Sequence, residues 1–284
     1  MPKTPVALSA VPETLLWTLY QRATEARRPN GVLHDPKAVE LVDRIDYPFE
    51  RFGHGWWGQA EGQALRAATF DRVVQRFLTR HPAGTVVALG EGLETQYWRV
   101  DNGRVRWITV DLPEVVELRR RLLPVTERQR LIAGSALDRT WMDEVDTPDA
   151  VLVTAQGLLM YLSRHDVHEL VAACARRFPG TALVFDTVPK WFSAQTVRGA
   201  VHTPYGYQAP PMPWGVDGAE LDALAAIPGV ATVTVLAMPR GRSAVFGFLV
   251  PGLDAVPALR DRRPSLMPLP SVLLATFDAV PPRE

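Results

Sequence analysis

The sequence predicts an α/β chain: a mostly parallel, doubly wound sheet closed by a C-terminal antiparallel hairpin, with an N-terminal helical cap and a lid insertion. Three observations predict it. Short apolar runs alternate with helical stretches from residue 85 to residue 185, which is the pattern of βαβ units. Before them, apolar residues recur at three-and-four spacing, as on amphipathic helices. After them, Pro239-Arg240-Gly241-Arg242 separates two apolar runs, a gap too short for a parallel crossover of about a dozen residues.

The cap comes first. Pro12-Glu13 opens a helix through Trp17 and Tyr20 to about Arg27, and Pro29-Asn30-Gly31 stops it. Asp35-Pro36 starts a second, with Asp35 as N-cap and proline at the first helical position. A loop with His54, Trp56 and Trp57 leads to a third helix carrying Leu65, Phe70, Val73, Val74, Phe77 and Leu78. Strands are predicted at 85–89, at 107–110 closed by Asp111, at 130–133, at 150–154, and at 182–185 closed by Asp186. Helices between them fall at about 113–123, 140–145 and 164–178, the last opened by the capping box Ser163-Arg164-His165-Asp166. A helix at 217–226 precedes the hairpin strands 230–236 and 243–250. The domain reading is therefore a cap at 1–82, a sheet domain at 83–250 with a lid at 187–216, and a Pro-rich tail at 251–284 wrapping the surface.

Length and composition bound the function. A chain of 284 residues can bury one sizeable core. Its 31 basic residues balance 31 acidic ones, so it lacks the basic footprint of a nucleic-acid binder. The single cysteine, Cys174, excludes an intramolecular disulfide and sits in an apolar helical pattern. No apolar stretch is long enough for a membrane span, and the N-terminus lacks the run of a signal peptide. The expected location is the cytoplasm, and no nucleic-acid or membrane partner is expected. His165 and His168 stand one helical turn apart without a third ligand nearby, so they read as solvated helix residues and no metal is expected.

The chemistry starts at Val86-Val87-Ala88-Leu89-Gly90-Glu91-Gly92. A strand ending in Gly-x-Gly lets backbone approach a ligand closely, because no Cβ intervenes. Asp111 ends the next strand, where an acid can hydrogen-bond ribose hydroxyls. Together these residues indicate an adenosine-containing cofactor and admit both NAD and S-adenosylmethionine. Five parallel strands followed by a hairpin is the Rossmann-like methyltransferase pattern, whereas a dinucleotide dehydrogenase continues with a second βαβαβ half.

Four segments resemble the leucine carboxyl methyltransferase family, in particular its bacterial polyketide O-methyltransferase branch. They are Arg66 with Phe70-Asp71, the string from Val87 to Thr95, Val110-Asp111-Leu112-Pro113-Glu114-Val115, and Gln156-Gly157-Leu158-Leu159-Met160-Tyr161-Leu162. The resemblance covers roughly residues 13 to 250. It implies transfer of a methyl group from S-adenosylmethionine to a carboxyl or phenolic hydroxyl of a small, polyketide-like acceptor. Carried over position by position, it has Arg66 pair with the methionine carboxylate through its planar fork. Gly90, Glu91 and Gly92 pass the methionine and ribose, Asp111 holds the ribose hydroxyls, and Leu112, Ala136 and Leu137 flank adenine. Gln156 sits near the methionine amino group. Tyr161 and His202 are candidates for positioning the reacting groups, and Trp17, Tyr20, Trp191, Tyr205 and Trp214 for holding a flat substrate.

The chain also departs from the family pattern. Glu91 stands between the glycines where relatives have Ala or Cys, and Glu94-Thr95-Gln96 replaces Asp-Thr-Arg. Ala136 and Gln156 replace two acids, for which Glu91 and Asp138 are the candidate substitutes. Two rival readings follow: a family member that binds the cofactor without methylating, and a dinucleotide oxidoreductase. The terminal hairpin, and Thr95 in place of the third fingerprint glycine, count against the second.

Overall fold

The computed structural model describes residues 3–6, 8, 11–53, 58–145, 150–260 and 271–279. The predicted cap helices are present as α1 (Thr14–Ala26), α2 (Pro36–Arg44) and α3 (Gln59–Arg80). Asp35 caps α2 by accepting from the Ala38 N–H at 3.0 Å, with Pro36 in the first turn. His54, Trp56 and Trp57 lie outside the described residues.

Seven strands form the main sheet: β1 (Thr85–Leu89), β2 (Arg106–Asp111), β3 (Gln129–Ala133), β4 (Val151–Ala155), β5 (Ala182–Thr187), β6 (Val230–Val235) and β7 (Ser271–Phe277). Their order is β3-β2-β1-β4-β5-β7-β6. The first five are parallel, and β7 runs antiparallel to both β5 and β6. Two of the predicted helices between strands are present as α4 (Pro113–Leu122) and α5 (Arg164–Arg177), and the third is reduced to a short turn at Arg139–Met142. Ser163 caps α5 as the capping pattern predicted, accepting from the Asp166 N–H at 3.1 Å.

Both sheet faces are buried, so these strands read as continuous apolar runs. Successive side chains still alternate: Val86, Ala88, Leu152, Val184 and Val272 pack under Phe70, Val74 and Leu78 of α3. Val87, Leu89, Val153, Phe185 and Leu273 face the other way, against Val167, Leu170, Val171 and Cys174 of α5.

The closing hairpin is built from different residues than expected. Val230–Val235 is its first strand, but its partner is Ser271–Phe277, drawn from the segment predicted to wrap the surface as a Pro-rich tail. The helix predicted ahead of it is α6 (Gly218–Ala225). Residues 243–250 are helical instead of extended: Val245–Leu249 forms a wide turn running into α7 (Val250–Asp254). The cause is anchoring by residues distant in sequence. The Arg242 and Ser243 N–H groups donate to Glu61 Oε1 at 2.5 and 3.0 Å, and the Arg242 guanidinium donates to both oxygens of Glu25 at 3.0 Å. Phe246 and Val250, one helical turn apart, then bury against Leu65 and Met238.

Cys174 is buried in the core, where desolvation pushes its thiol up to about 12, so it serves packing. His168 Nε2 lies 2.7 Å from Glu220 Oε1 and ties α5 to α6. Among the described residues, no helix is long and apolar enough to cross a membrane, and no cluster of three or more His, Cys, Asp and Glu could hold a metal ion.

Candidate functional site

Strand order reverses at β1, which has β2 on one side and β4 on the other. Ligands of open α/β sheets bind at such a switch point, beyond the strands' carboxyl ends. A cavity of about 1150 Å³ opens there between the strand ends, α1, the first turns of α3 and the segment 188–212.

The glycine turn is shaped by need. Gly90 and Gly92 have φ of +59° and +56°, which side chains rarely adopt. A Cβ on Gly90 would come within 2.9 Å of Leu158, and one on Gly92 within 3.0 Å of Leu15. Asp111 fixes the turn: Oδ2 accepts from the Gly92 N–H at 2.7 Å and Oδ1 from the Leu112 N–H at 2.8 Å. Each carboxylate oxygen keeps a further lone pair. Burial raises the Asp111 pKa, while those two backbone donors and Arg119 oppose the rise.

Arg66, on α3, places Nη1 2.8 Å from Asp186 Oδ2 at the end of β5. The Gly157 N–H occupies Asp186 Oδ1 at 2.6 Å. Arg66 Nε and Gln156 Oε1 are buried and lack a protein partner. Both residues contribute to the cavity wall, and an unpartnered donor and an unpartnered acceptor there suit the carboxylate and ammonium of an amino acid, so the residues present fit the methionine end of S-adenosylmethionine. Leu112, Ala136 and Leu137 line the cavity beside the Asp111 turn. An apolar surface of this kind fits adenine.

Of the residues picked from sequence, Arg66, Gly90, Gly92, Asp111, Leu112, Ala136, Leu137, Gln156, Tyr161, His202, Trp17, Trp191 and Tyr205 all line this cavity. Three do not serve as expected. Trp214 is 2% exposed and packs on Phe185 in the core, with its indole N–H bonded to Glu220. Tyr20 stacks on Phe49 inside the cap. Glu91 contributes to the wall, but its carboxylate is engaged by Trp107, Thr109 and Arg119. The other suggested compensating acid, Asp138, caps the turn Arg139–Met142.

Sequence reasoning missed Arg119, Asp186 and the acid function of Glu94. Arg119, on α4, donates through Nη1 to the Gly92 and Glu94 carbonyls at 2.5 and 3.1 Å. Its Nη2 lies 3.1 Å from Glu91. Asp186 carried a usable signal: an acid closing a central strand, as Asp111 does.

Tyr161 keeps its proton, since desolvation above all pushes its hydroxyl up to about 12. It can donate a hydrogen bond at neutral pH but not act as a base. The wall formed by 188–212 includes Trp191, Phe192, Tyr205, Tyr207 and Met212, and no Asp, Glu, Lys or Arg. Trp191 and Tyr205 remain 45% and 60% exposed, as suits side chains awaiting a partner.

Replacing Asp111 with alanine is expected to weaken S-adenosylhomocysteine binding at least tenfold, about 1.4 kcal/mol, while the chain stays folded. Calorimetric titration checks it, and unchanged affinity would remove Asp111 from the ribose site.

The sequence profile of the leucine carboxyl methyltransferase family matches residues 16–175. The tetracenomycin polyketide synthesis O-methyltransferase TcmP of Streptomyces glaucescens is 38% identical over 192 residues, 66% of this chain and 69% of that enzyme. The S-adenosyl-L-methionine-dependent methyltransferase dpfgK of Gibberella zeae is 32% identical over 189 residues, 61% of this chain and 63% of that one. A crystal structure of a methyltransferase from Thermobifida fusca YX superposes with a TM-score of 0.54 at 16% identity, covering 92% of this chain and 94% of that one; this likeness bears on the fold alone. With the profile spanning more than half of its length, the chain belongs to the leucine carboxyl methyltransferase family and is an S-adenosylmethionine-dependent O-methyltransferase.

Proposed function

We propose that this chain works in the cytoplasm on a carboxyl or phenolic hydroxyl of a flat, polyketide-like small molecule. The observation that carries this reading is the division of the cavity wall. Among the described residues, its carboxylates and guanidinium groups come from α1, α3 and the strand ends, whereas the segment 188–212 adds no Asp, Glu, Lys or Arg and includes the aromatic rings of Trp191, Phe192, Tyr205 and Tyr207. Such a surface suits a planar, mainly apolar ligand.

S-adenosylmethionine supplies, when bound, a methyl group already activated on a sulfonium. The protein's task is alignment, which in favourable cases contributes about 7–11 kcal/mol. Arg66 and Gln156 hold the amino-acid end, Asp111 the ribose, and Leu112, Ala136 and Leu137 the adenine. Trp17, Trp191 and Tyr205 clasp the acceptor, and Tyr161 donates a hydrogen bond toward it. A carboxylate acceptor arrives ionised and needs no base. A phenol, whose hydroxyl ordinarily ionises only at about pH 10, would draw on His202.

Incubating the protein and S-adenosylmethionine with polycyclic aromatic carboxylic acids and phenols tests the proposal, with mass spectrometry reading the addition of one methyl. His202→Ala is expected to leave a carboxyl acceptor unaffected and to slow a phenolic one by about 10²-fold or more. Absence of methylation across both acceptor classes, in protein that binds the cofactor, would sink this substrate class.

A further inference from the structure

Gln156 follows the carboxyl end of β4, and one neighbour orients its amide. Glu94 Oε2 lies 3.0 Å from Gln156 Nε2. A carboxylate only accepts, so the amide nitrogen must face it. Oε1 is thereby turned away, buried and without a protein donor.

Glu94 is itself held from every side. Arg22 Nη1 sits 2.9 Å from its Oε2 and Arg99 Nη1 2.8 Å from its Oε1, and the Thr95 N–H reaches Oε1 at 2.9 Å. Burial alone would raise its pKa, but the two guanidinium groups outweigh burial and hold Glu94 down at about 2. The arginines are anchored in turn. Asp35 lies 3.4 Å from Arg22 and 2.8 Å from Arg99, and Asp71 lies 2.7 Å from Arg99. The carboxylate is therefore ionised and unable to rotate away from Gln156.

We propose that Glu94 is a positioning residue for the amino group of S-adenosylmethionine. It fixes Gln156 so that Oε1 accepts from that ammonium, and it supplies from beside the amide the negative charge that a glutamine lacks. The charge is displaced by one side chain rather than lost, which explains how an amide can stand at this strand end in a site for a cationic ligand. The assignment rests on the cofactor reading above.

The test uses two probes titrated calorimetrically into the full chain. S-adenosylhomocysteine carries the amino-acid end, whereas 5′-methylthioadenosine keeps the adenosine and lacks that end. Glu94→Gln is expected to weaken S-adenosylhomocysteine at least tenfold and leave 5′-methylthioadenosine within about twofold. The double variant Glu94→Gln with Gln156→Glu, which exchanges acid and amide, is expected to recover most of the lost affinity. Unchanged S-adenosylhomocysteine affinity in the single variant would overturn the proposal. Equal weakening of both probes would also overturn it, because it would mark a role confined to holding the fold. Should the single variant not fold, the double variant decides alone: near-native affinity supports the exchange, and weak binding refutes it. Failure of the unaltered chain to bind either probe would overturn the cofactor reading and this proposal together.

Discussion

Replacing Arg119 with leucine is expected to lower stability by about 3–5 kcal/mol, because it leaves a buried carboxylate without its cation. Glu91 is 6% exposed, and Arg119 is the only cation within ion-pair distance of it among the described residues. The Thr109 hydroxyl and the Trp107 indole N–H would remain as donors, without a compensating charge. Burial already raises the Glu91 pKa against the opposition of Arg119, so removing the arginine raises it further. The folded variant would then hold a proton that the unfolded chain releases above the ordinary glutamate range. Its stability must fall as pH rises, so the deficit is smallest in acid and largest at neutral pH and above. Urea denaturation at acidic and neutral pH measures this. Adding Glu91→Leu should restore much of the loss, since an apolar pair can replace a buried ion pair at little cost. A deficit below about 1 kcal/mol would show that water reaches Glu91.

Replacing Arg66 with alanine is expected to weaken S-adenosylhomocysteine binding at least a hundredfold, about 2.7 kcal/mol, with a separate loss of stability. The two effects have different origins. Affinity falls because a fork of charge-assisted donors is removed from the cavity wall. Stability falls because Asp186, fully buried, keeps the Gly157 N–H but loses its cation. Arg66→Lys separates them: an ammonium can restore the pairing with Asp186, but it cannot offer the open Nε beside it. The lysine variant should recover stability and remain at least tenfold weak in binding. Native affinity in Arg66→Lys would show that the fork is not used.

What could be read from the sequence was local. Asp35 before Pro36 and Ser163 before Asp166 marked helix starts because a cap is decided within four residues. Gly90, Gly92 and Asp111 were legible because a tight turn beside a strand end restricts which residues fit. Residues 243–250 were misread because a short apolar run does not distinguish strand from buried helix. What decides there is Glu61 and Glu25 pulling on Arg242 and Ser243, contacts reaching across most of the chain. The strand Ser271–Phe277 stands in a proline-rich segment that reads locally as loop, and its pairing comes from distant strands. The ion pairs joining Arg22, Asp35, Asp71, Glu94 and Arg99 leave no periodic trace, and no motif flagged Arg119. Trp214 and Tyr20 show the limit of aromatic counting, because a large ring fills a core as readily as it lines a cavity.

The placement of β7 between β5 and β6 makes two strands depend on one segment. Within the sheet β6 is paired to β7 alone, so it joins the sheet only through the residues from Ser271 onward. Without that segment β5 presents a raw edge of unpaired N–H and C=O groups. The parallel half can zip up from neighbouring βα units, whereas the last two positions close only through a distant return of the chain, a slow kind of contact to make. Interrupting β7 would therefore cost two strands rather than one, and would turn an interior position of the sheet into an adhesive border.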